Sequence, residues 1–185
     1  LSDYKMKKYY IEDFTLENKI GQGADGIVYS LEGDKAVKFF RQSRKLRKEI
    51  RINQHLAENQ IHVPDIYDSI ELSFPKDHIL HNHGRRQFGL VMEKLDGQNP
   101  TYLPSELKLK AKEKFTEYLD QIMTLGYLPV DTGMCNNTFY VPKTEDLAFF
   151  DFARWLEFFP DEGLKKRVIN HPTDPVKGKV FYSCY

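Results

Sequence analysis

The residues that could carry chemistry begin with three glycines. Gly21-Gln22-Gly23-Ala24-Asp25-Gly26-Ile27-Val28 fits the pattern G-x-G-x-x-G-x-V in full. Glycines at this spacing let a backbone pass close to phosphate oxygens and offer N–H donors with no Cβ in the way. The same pattern opens dinucleotide-binding folds, but those require a helix straight after the glycines, whose N-terminus meets the pyrophosphate. Here β-branched and aromatic residues follow, then a turn and another extended run. That context excludes the dinucleotide fold. Further along stand Lys38 within Ala36-Val37-Lys38, then Glu49, then Asp131 and Asn136 five positions apart, then Asp151 within Phe149-Phe150-Asp151-Phe152-Ala153. Singly each has an ordinary reading: a solvated lysine, a surface pair of Glu49 with Lys45, a cap, a turn carboxylate.

These residues need elements to place them. Residues 9–40 read as strands: Phe14 to Ile20 runs into the glycines, Ile27 to Leu31 resumes, Glu32-Gly33-Asp34 turns, and Ala36 to Phe40 follows. From Ser43, a predicted N-cap, Leu46, Ile50, Asn53 and Leu56 recur at helical spacing. Residues 63–95 are extended again around a polar loop from Pro75 to Gln87, and Asp96-Gly97 ends the run Phe88 to Leu95. Ser105 opens the longest predicted helix, with Leu109, Phe115, Leu119, Ile122 and Leu125 on one face and Gly126 as its stop. Thr138–Val141 and Leu147–Phe150 read as a hairpin. A strand-rich half thus precedes a mixed half, with the join near Asp96, which is a two-lobed α+β layout.

In this order the motifs resemble those of the protein kinases. A strand, glycine loop and strand followed by Ala-x-Lys resembles their nucleotide-covering flap and third strand. The resemblance implies ATP as the nucleotide, held at Gly21, Gly23, Gly26, Val28 and Ala36, with Lys38 on the α and β phosphates and Glu49 as the partner of Lys38. Leu90 to Gly97 resembles the strand and hinge that join the two kinase lobes. Met92 would back the adenine, and backbone groups of Glu93 and Leu95 would face its edge. Asp131 and Asn136 keep the offset of the catalytic loop's Asp-x₄-Asn. That makes Asp131 the base accepting the proton of the attacking hydroxyl. Asn136 and Asp151, the latter in the Asp-Phe element, would hold Mg²⁺, a cation that takes oxygen ligands and keeps several waters. The implied fold is α+β and kinase-like. An antiparallel-sheet first lobe with one helix spans about 9–95, a hinge 93–97, and a shortened, mostly helical second lobe 98–185, all in one minimal kinase domain over 1–185.

The resemblance covers about residues 14–155, with departures. Pro129 and Val130 stand where kinases have His and Arg, so a phosphate on the activation segment has no arginine partner in the catalytic loop. Gly133 replaces a lysine of the serine/threonine kinases, and Ala153 replaces the last residue of Asp-Phe-Gly. About 30 residues follow Asp151-Phe152-Ala153, too few for the helices that complete a full second lobe. This truncation resembles the minimal kinases that pathogenic bacteria inject into host cells, whose substrates include host chaperones and ubiquitin-pathway proteins. A Ser/Thr protein kinase acting on one folded protein is therefore expected, as a monomer, active as made or switched by a partner. A pseudokinase binding module and an aminoglycoside-type small-molecule kinase are the alternatives.

Composition bounds the rest. The 185 residues are 41% hydrophobic, enough to fill a core, and 27 basic side chains balance 27 acidic ones. Zero net charge gives no overall pull toward nucleic acid or a membrane surface. Two cysteines, Cys135 and Cys184, exclude a disulfide framework and favour a reducing, intracellular setting, which for an injected effector is the host cytoplasm. No apolar run approaches the ~20 residues of a membrane span. The opening Leu-Ser-Asp-Tyr-Lys-Met reads neither as a signal peptide nor as a native start. His78, His81 and His83 read as a solvated loop rather than a metal site. The basic run Lys35 to Arg51 reads as an exposed helix face or a dock for an acidic partner. Trp155, Phe158 and Phe159 are expected to close the second core.

Overall fold

The computed structural model of the protein describes residues 14–23, 26–78, 80–81, 86–130 and 136–157. The chain forms two compact units. One gathers the chain up to Arg47 with Asp65–Lys94, the other Lys48–Pro64 with the chain from Leu95 onward.

The first unit is an antiparallel sheet of β1 (Lys19–Gln22), β2 (Gly26–Ser30), β3 (Lys35–Phe40), β4 (Ile66–Ser73) and β5 (Arg86–Glu93), in the order β1-β2-β3-β5-β4. The period-2 alternation of side chains divides it into two faces. Ile27, Tyr29, Val37, Phe39 and Val91 turn to one, where Phe14, Phe74 and Leu80 complete a buried cluster. Its rings meet edge to face, Phe14 on Phe39 at 4.9 Å and Phe39 on Phe74 at 5.6 Å. Phe14 is thus a core plug rather than the start of a strand. The chain turns at Leu16, whose carbonyl accepts from the Lys19 N–H, and β1 opens at Lys19. The histidine loop is held by its own side chains. His78 stacks on Phe74 and accepts from the Leu80 N–H, and His81 Nδ1 lies 3.1 Å from the Phe74 carbonyl oxygen. His83 lies outside the described residues.

Helix α1 runs Ser43–Glu58. The cap position belongs to Gln42, whose carbonyl accepts from the Lys45 and Leu46 N–H groups. Ser43 instead accepts from the Arg47 guanidinium at 3.3 Å, one turn into the helix.

In the second unit, residues 48–58 of α1 join α2 (Ser105–Thr124), a 3-10 turn at Pro100–Tyr102, and four short strands. These are β6 (Tyr127–Leu128), β7 (Thr138–Val141), β8 (Asp146–Phe149) and β9 (Leu156–Glu157), paired as β6-β9 and β7-β8. Ile52, Leu56, Phe115, Ile122, Phe149, Phe152 and Trp155 share one core, and Trp155 is wholly buried, closing it as expected. Phe158 and Phe159 lie outside the described residues. The buried stripe of α2 is Ala111, Phe115, Ile122 and Met123, with Leu119 and Leu125 packed beside it. Leu109 is 59% exposed: six residues before Phe115 is well over a turn and a half, which points it away from that stripe. Gly126 ends the helix in the left-handed region, at φ 91°. No helix among the described residues is long and apolar enough to cross a membrane.

Asp146 ties α2 to β8. Its carboxylate accepts from Lys114 at 3.0 Å, from the Tyr118 hydroxyl at 2.8 Å and from the Leu147 N–H at 2.8 Å, with His62 Nδ1 3.9 Å away. Burial pushes this carboxyl up, but the hydrogen bonds from Tyr118, Lys114 and Leu147 outweigh it and leave the group below its ordinary value. A depressed carboxyl adds stability above the unfolded value, about 3.9, and loses it as pH falls through the folded one. Urea titrations of Asp146→Asn should therefore show a stability deficit that is full above about pH 5 and shrinks below about pH 4. A deficit as large at pH 3 as at pH 6 would contradict the assignment.

Candidate functional site

In the first unit the sheet's second face collects the residues of interest from three strands. Antiparallel partners share a face, and the register sets Val28 opposite Lys38, Lys38 opposite Leu90, Ser30 opposite Ala36, and Ala36 opposite Met92. Val28, Ala36, Lys38 and Met92 therefore stand on one surface, with Gly21 paired to Val28 at its edge. Lys38 is only 6% exposed, a depth at which lysine is rare. Its ammonium lies 4.8 Å from the centroid of the Phe40 ring on the same face.

The three glycines differ in what demands them. A Cβ on Gly26 would come within 2.2 Å of the Phe39 carbonyl oxygen, so this glycine is dictated by the close approach of β2 to β3. A Cβ on Gly23 would meet nothing within 4 Å, and one on Gly21 would make only ordinary contact with Val28. Packing does not account for those two. The Gly23 N–H donates to the Gly26 carbonyl at 2.9 Å and closes the turn, whose Ala24 and Asp25 lie outside the described residues. At the far end of β5, the Glu93 N–H donates to the Asp65 carbonyl at 2.8 Å, and the Glu93 carboxylate accepts from the Asp65 N–H at 3.3 Å. Lys94 then bonds Asp34 and Ser30, and with it the first unit ends.

In the second unit Leu95 begins a segment laid along β7. Gln98 and Tyr140 exchange backbone hydrogen bonds of 2.8 Å in both directions. Gly97 permits this approach, since a Cβ there would sit 2.7 Å from that of Phe139. On the other side of β7 the hairpin register pairs Thr138 with Phe149. The ladder ends at that pair, and just beyond it the Phe150 N–H bonds the Asn137 carbonyl at 3.1 Å. Asn137 and Asp151 both take left-handed backbone, at φ 60° and 67°. Asn and Asp adopt this region more readily than other side chains, and Gln60 and Glu145 take it as well, at φ 62° and 51°. The amide oxygen of Asn136, two residues before β7, and the carboxylate of Asp151, two residues after β8, are hard donors of the kind Mg²⁺ takes alongside water and phosphate. Among the described residues no three His, Cys, Asp or Glu side chains gather at one point. Glu49 is 3% exposed on the inner face of α1, so its carboxylate is buried rather than on the surface. Asp131, Gly133 and Cys135 lie outside the described residues. Pro129 is buried just after β6.

Sequence reasoning missed the grip of α1 on the chain after Asp151. Arg51 and Glu157 form a two-pronged ion pair, which holds the Glu157 carboxyl below its usual range, and Lys48 donates to the Trp155 carbonyl. The only local signal was a run of basic residues, and two of them serve the chain's own fold rather than solvent or a partner.

No protein-family model matches the chain, and no curated protein matches it in sequence. Its likeness is to solved structures, of which 410 chains match. One is WaaP in complex with acyl carrier protein, a structure of the protein kinase-like fold, at a TM-score of 0.55 and 15% identity. The match covers 81% of this chain and 66% of that one, so the chain spans just under two thirds of its neighbour's length. The fold is kinase-like. It has an antiparallel-sheet first lobe and a small second lobe. At 15% identity the likeness speaks for the fold alone.

The glycine analysis has a direct test in thermal denaturation. Gly26→Ala should lower Tm by about 3–10 °C, the effect of forcing an atom into a packed strand pair. Gly23→Ala should stay within about 2 °C of the parent. Equal losses at the two positions would contradict it.

Proposed function

We propose that the protein is an ATP-dependent protein kinase, which passes the γ-phosphoryl group to a hydroxyl side chain of a protein, serine or threonine before tyrosine. The observation that carries the reading is the sheet face shared by Val28, Ala36, Lys38 and Met92, on which Lys38 is only 6% exposed. Asn136 and Asp151, just outside the two strands of the β7–β8 hairpin, supply an amide oxygen and a carboxylate, hard donors of the kind a Mg·ATP site takes while phosphates and water complete the shell.

In this reading the roles follow the kinase resemblance. Gly21 and Gly23 leave room for phosphate oxygens near the backbone, and Gly26 keeps the flap in place. Lys38 binds the α and β phosphates, and Glu49 is the carboxylate that orients it. Val28, Ala36 and Met92 supply the apolar surface for adenine, with backbone groups of Glu93 and Leu95 at its edge. Asp131 accepts the proton of the attacking hydroxyl as its oxygen bonds the γ-phosphorus, while the bond from that phosphorus to the β–γ bridging oxygen breaks and ADP leaves. Asn136 and Asp151 hold Mg²⁺, which offsets charge on the phosphates.

WaaP, which shares the fold, is seen with acyl carrier protein, which supports a protein as the partner of this chain. A host protein such as a chaperone or ubiquitin-pathway component is the proposed substrate, met by a monomeric enzyme inside the host cell. The small-molecule kinase reading predicts label in small molecules when lysate and labelled ATP are supplied; a few strong protein bands favour a protein kinase.

Two substitutions separate the roles. Asp131→Ala should lower phosphoryl transfer by about 100-fold or more while ATP affinity changes little, because the base acts on the acceptor. Asp151→Ala should weaken both, because it removes a metal ligand. Transfer by Asp131→Ala at the parent's rate would contradict the assignment, and retained binding with no transfer in the parent would favour a pseudokinase.

A further inference from the structure

From Lys48 onward, α1 belongs to the second unit, and it is bound there along two stripes. The polar stripe is Lys48, Arg51 and His55, spaced three and four apart so that they lie above one another. Lys48 Nζ donates to the Trp155 carbonyl. Arg51 grips Glu157 with both Nη atoms, at 2.5 Å and 2.7 Å. His55 Nδ1 lies 2.7 Å from the Tyr127 hydroxyl, and Tyr127 is the register partner of Glu157 across β6 and β9. The buried stripe is Ile52 and Leu56, which pack in one core with Phe152 and Trp155. Both stripes therefore land on the segment that starts at Asp151.

Glu49 precedes Ile52, Asn53 and Leu56 by three, four and seven residues, so it shares their face. The roll of the helix that aims Glu49 is the roll these contacts set. Asn53 adds a bond to the Pro64 carbonyl at 2.9 Å, which fixes the exit of the helix.

We infer that Arg51 and Glu157, with Lys48 on the Trp155 carbonyl, are positioning residues that fasten the Glu49 helix to the Asp151 segment as one body. The inference deepens the phosphotransferase reading and rests on it for its kinetic consequence. A two-pronged pair fixes direction as well as distance. It does so from unmodified side chains, in a chain whose catalytic loop has Val130 where an arginine would read a phosphate. The fastening is thus built in rather than switched on.

The test uses the full chain and four variants: Arg51→Ala, Glu157→Gln, Arg51→Glu, and the charge swap Arg51→Glu with Glu157→Arg. Side-chain exposures of 56% and 40% mean that neither deletion opens the core. The first readout is amide hydrogen exchange. The single variants should lose protection by about threefold to fivefold, the upper range for an exposed ion pair, in residues 48–58 and 151–157 together. The β7–β8 hairpin should not change, and the swap should restore protection. The second readout is phosphoryl transfer. The kcat should fall about threefold to fivefold with KM for ATP nearly constant, and the swap should recover it. Raising the salt should bring the parent down toward Arg51→Ala and leave Arg51→Ala unmoved. Unchanged exchange in residues 48–58 would overturn the inference, as would a swap no better than Arg51→Glu. A parent with no transfer would overturn the functional reading instead, and the exchange data would still decide whether the fastening exists.

Discussion

The packing of Phe152 and Trp155 against Ile52 and Leu56 is the constraint on which the second unit depends. Phe152 follows Asp151 directly and is only 1% exposed. Trp155 meets the Phe152 ring edge to face at 4.8 Å and contributes its carbonyl to Lys48. Two aromatic residues thus bind a helix and a two-residue strand into one core. Burying side chains of this size stabilises by several kcal/mol.

Economy of elements gives the first unit its character. A single antiparallel sheet supplies a cluster of aromatic rings on one face and a surface with one buried lysine on the other. Lys38 reaches that depth because Val28 and Leu90 flank it in register and Phe40 offers its ring face. The alternation that buries Val37 and Phe39 is the same alternation that presents Ala36 and Lys38. Core and candidate nucleotide surface are therefore one decision, taken by β3.

Much of this was legible in the residue pattern, and the failures have physical causes. Helices α1 and α2 and the β7–β8 hairpin follow from local periodicity and turn residues, which act over fewer than ten positions. Phe14 and Leu109 were misplaced because tertiary packing overrode local pattern: one apolar residue is a plug outside any strand, the other faces away from its helix's buried stripe. The glycine motif hid a distinction, since Gly26 answers to a neighbouring carbonyl while Gly21 and Gly23 have room for a side chain. The Arg51–Glu157 pair spans 106 positions, and nothing in the local sequence marks it. The pairing of Thr138 with Phe149 is a matter of hairpin register, which local pattern leaves open.

In the proposed function Asn136 and Asp151 together hold the cation that accompanies ATP. Replacing Mg²⁺ by paramagnetic Mn²⁺ in the presence of ATP, and recording amide resonances of the full chain, tests it at residue level. The account expects the Asn136 side-chain amide and the Asp151 backbone amide to broaden first and together, at cation levels that leave the Asp146 and His78 signals sharp. Broadening centred on those other residues, or resonances of Asn136 and Asp151 that stay sharp with ATP and Mn²⁺ both present, would contradict it.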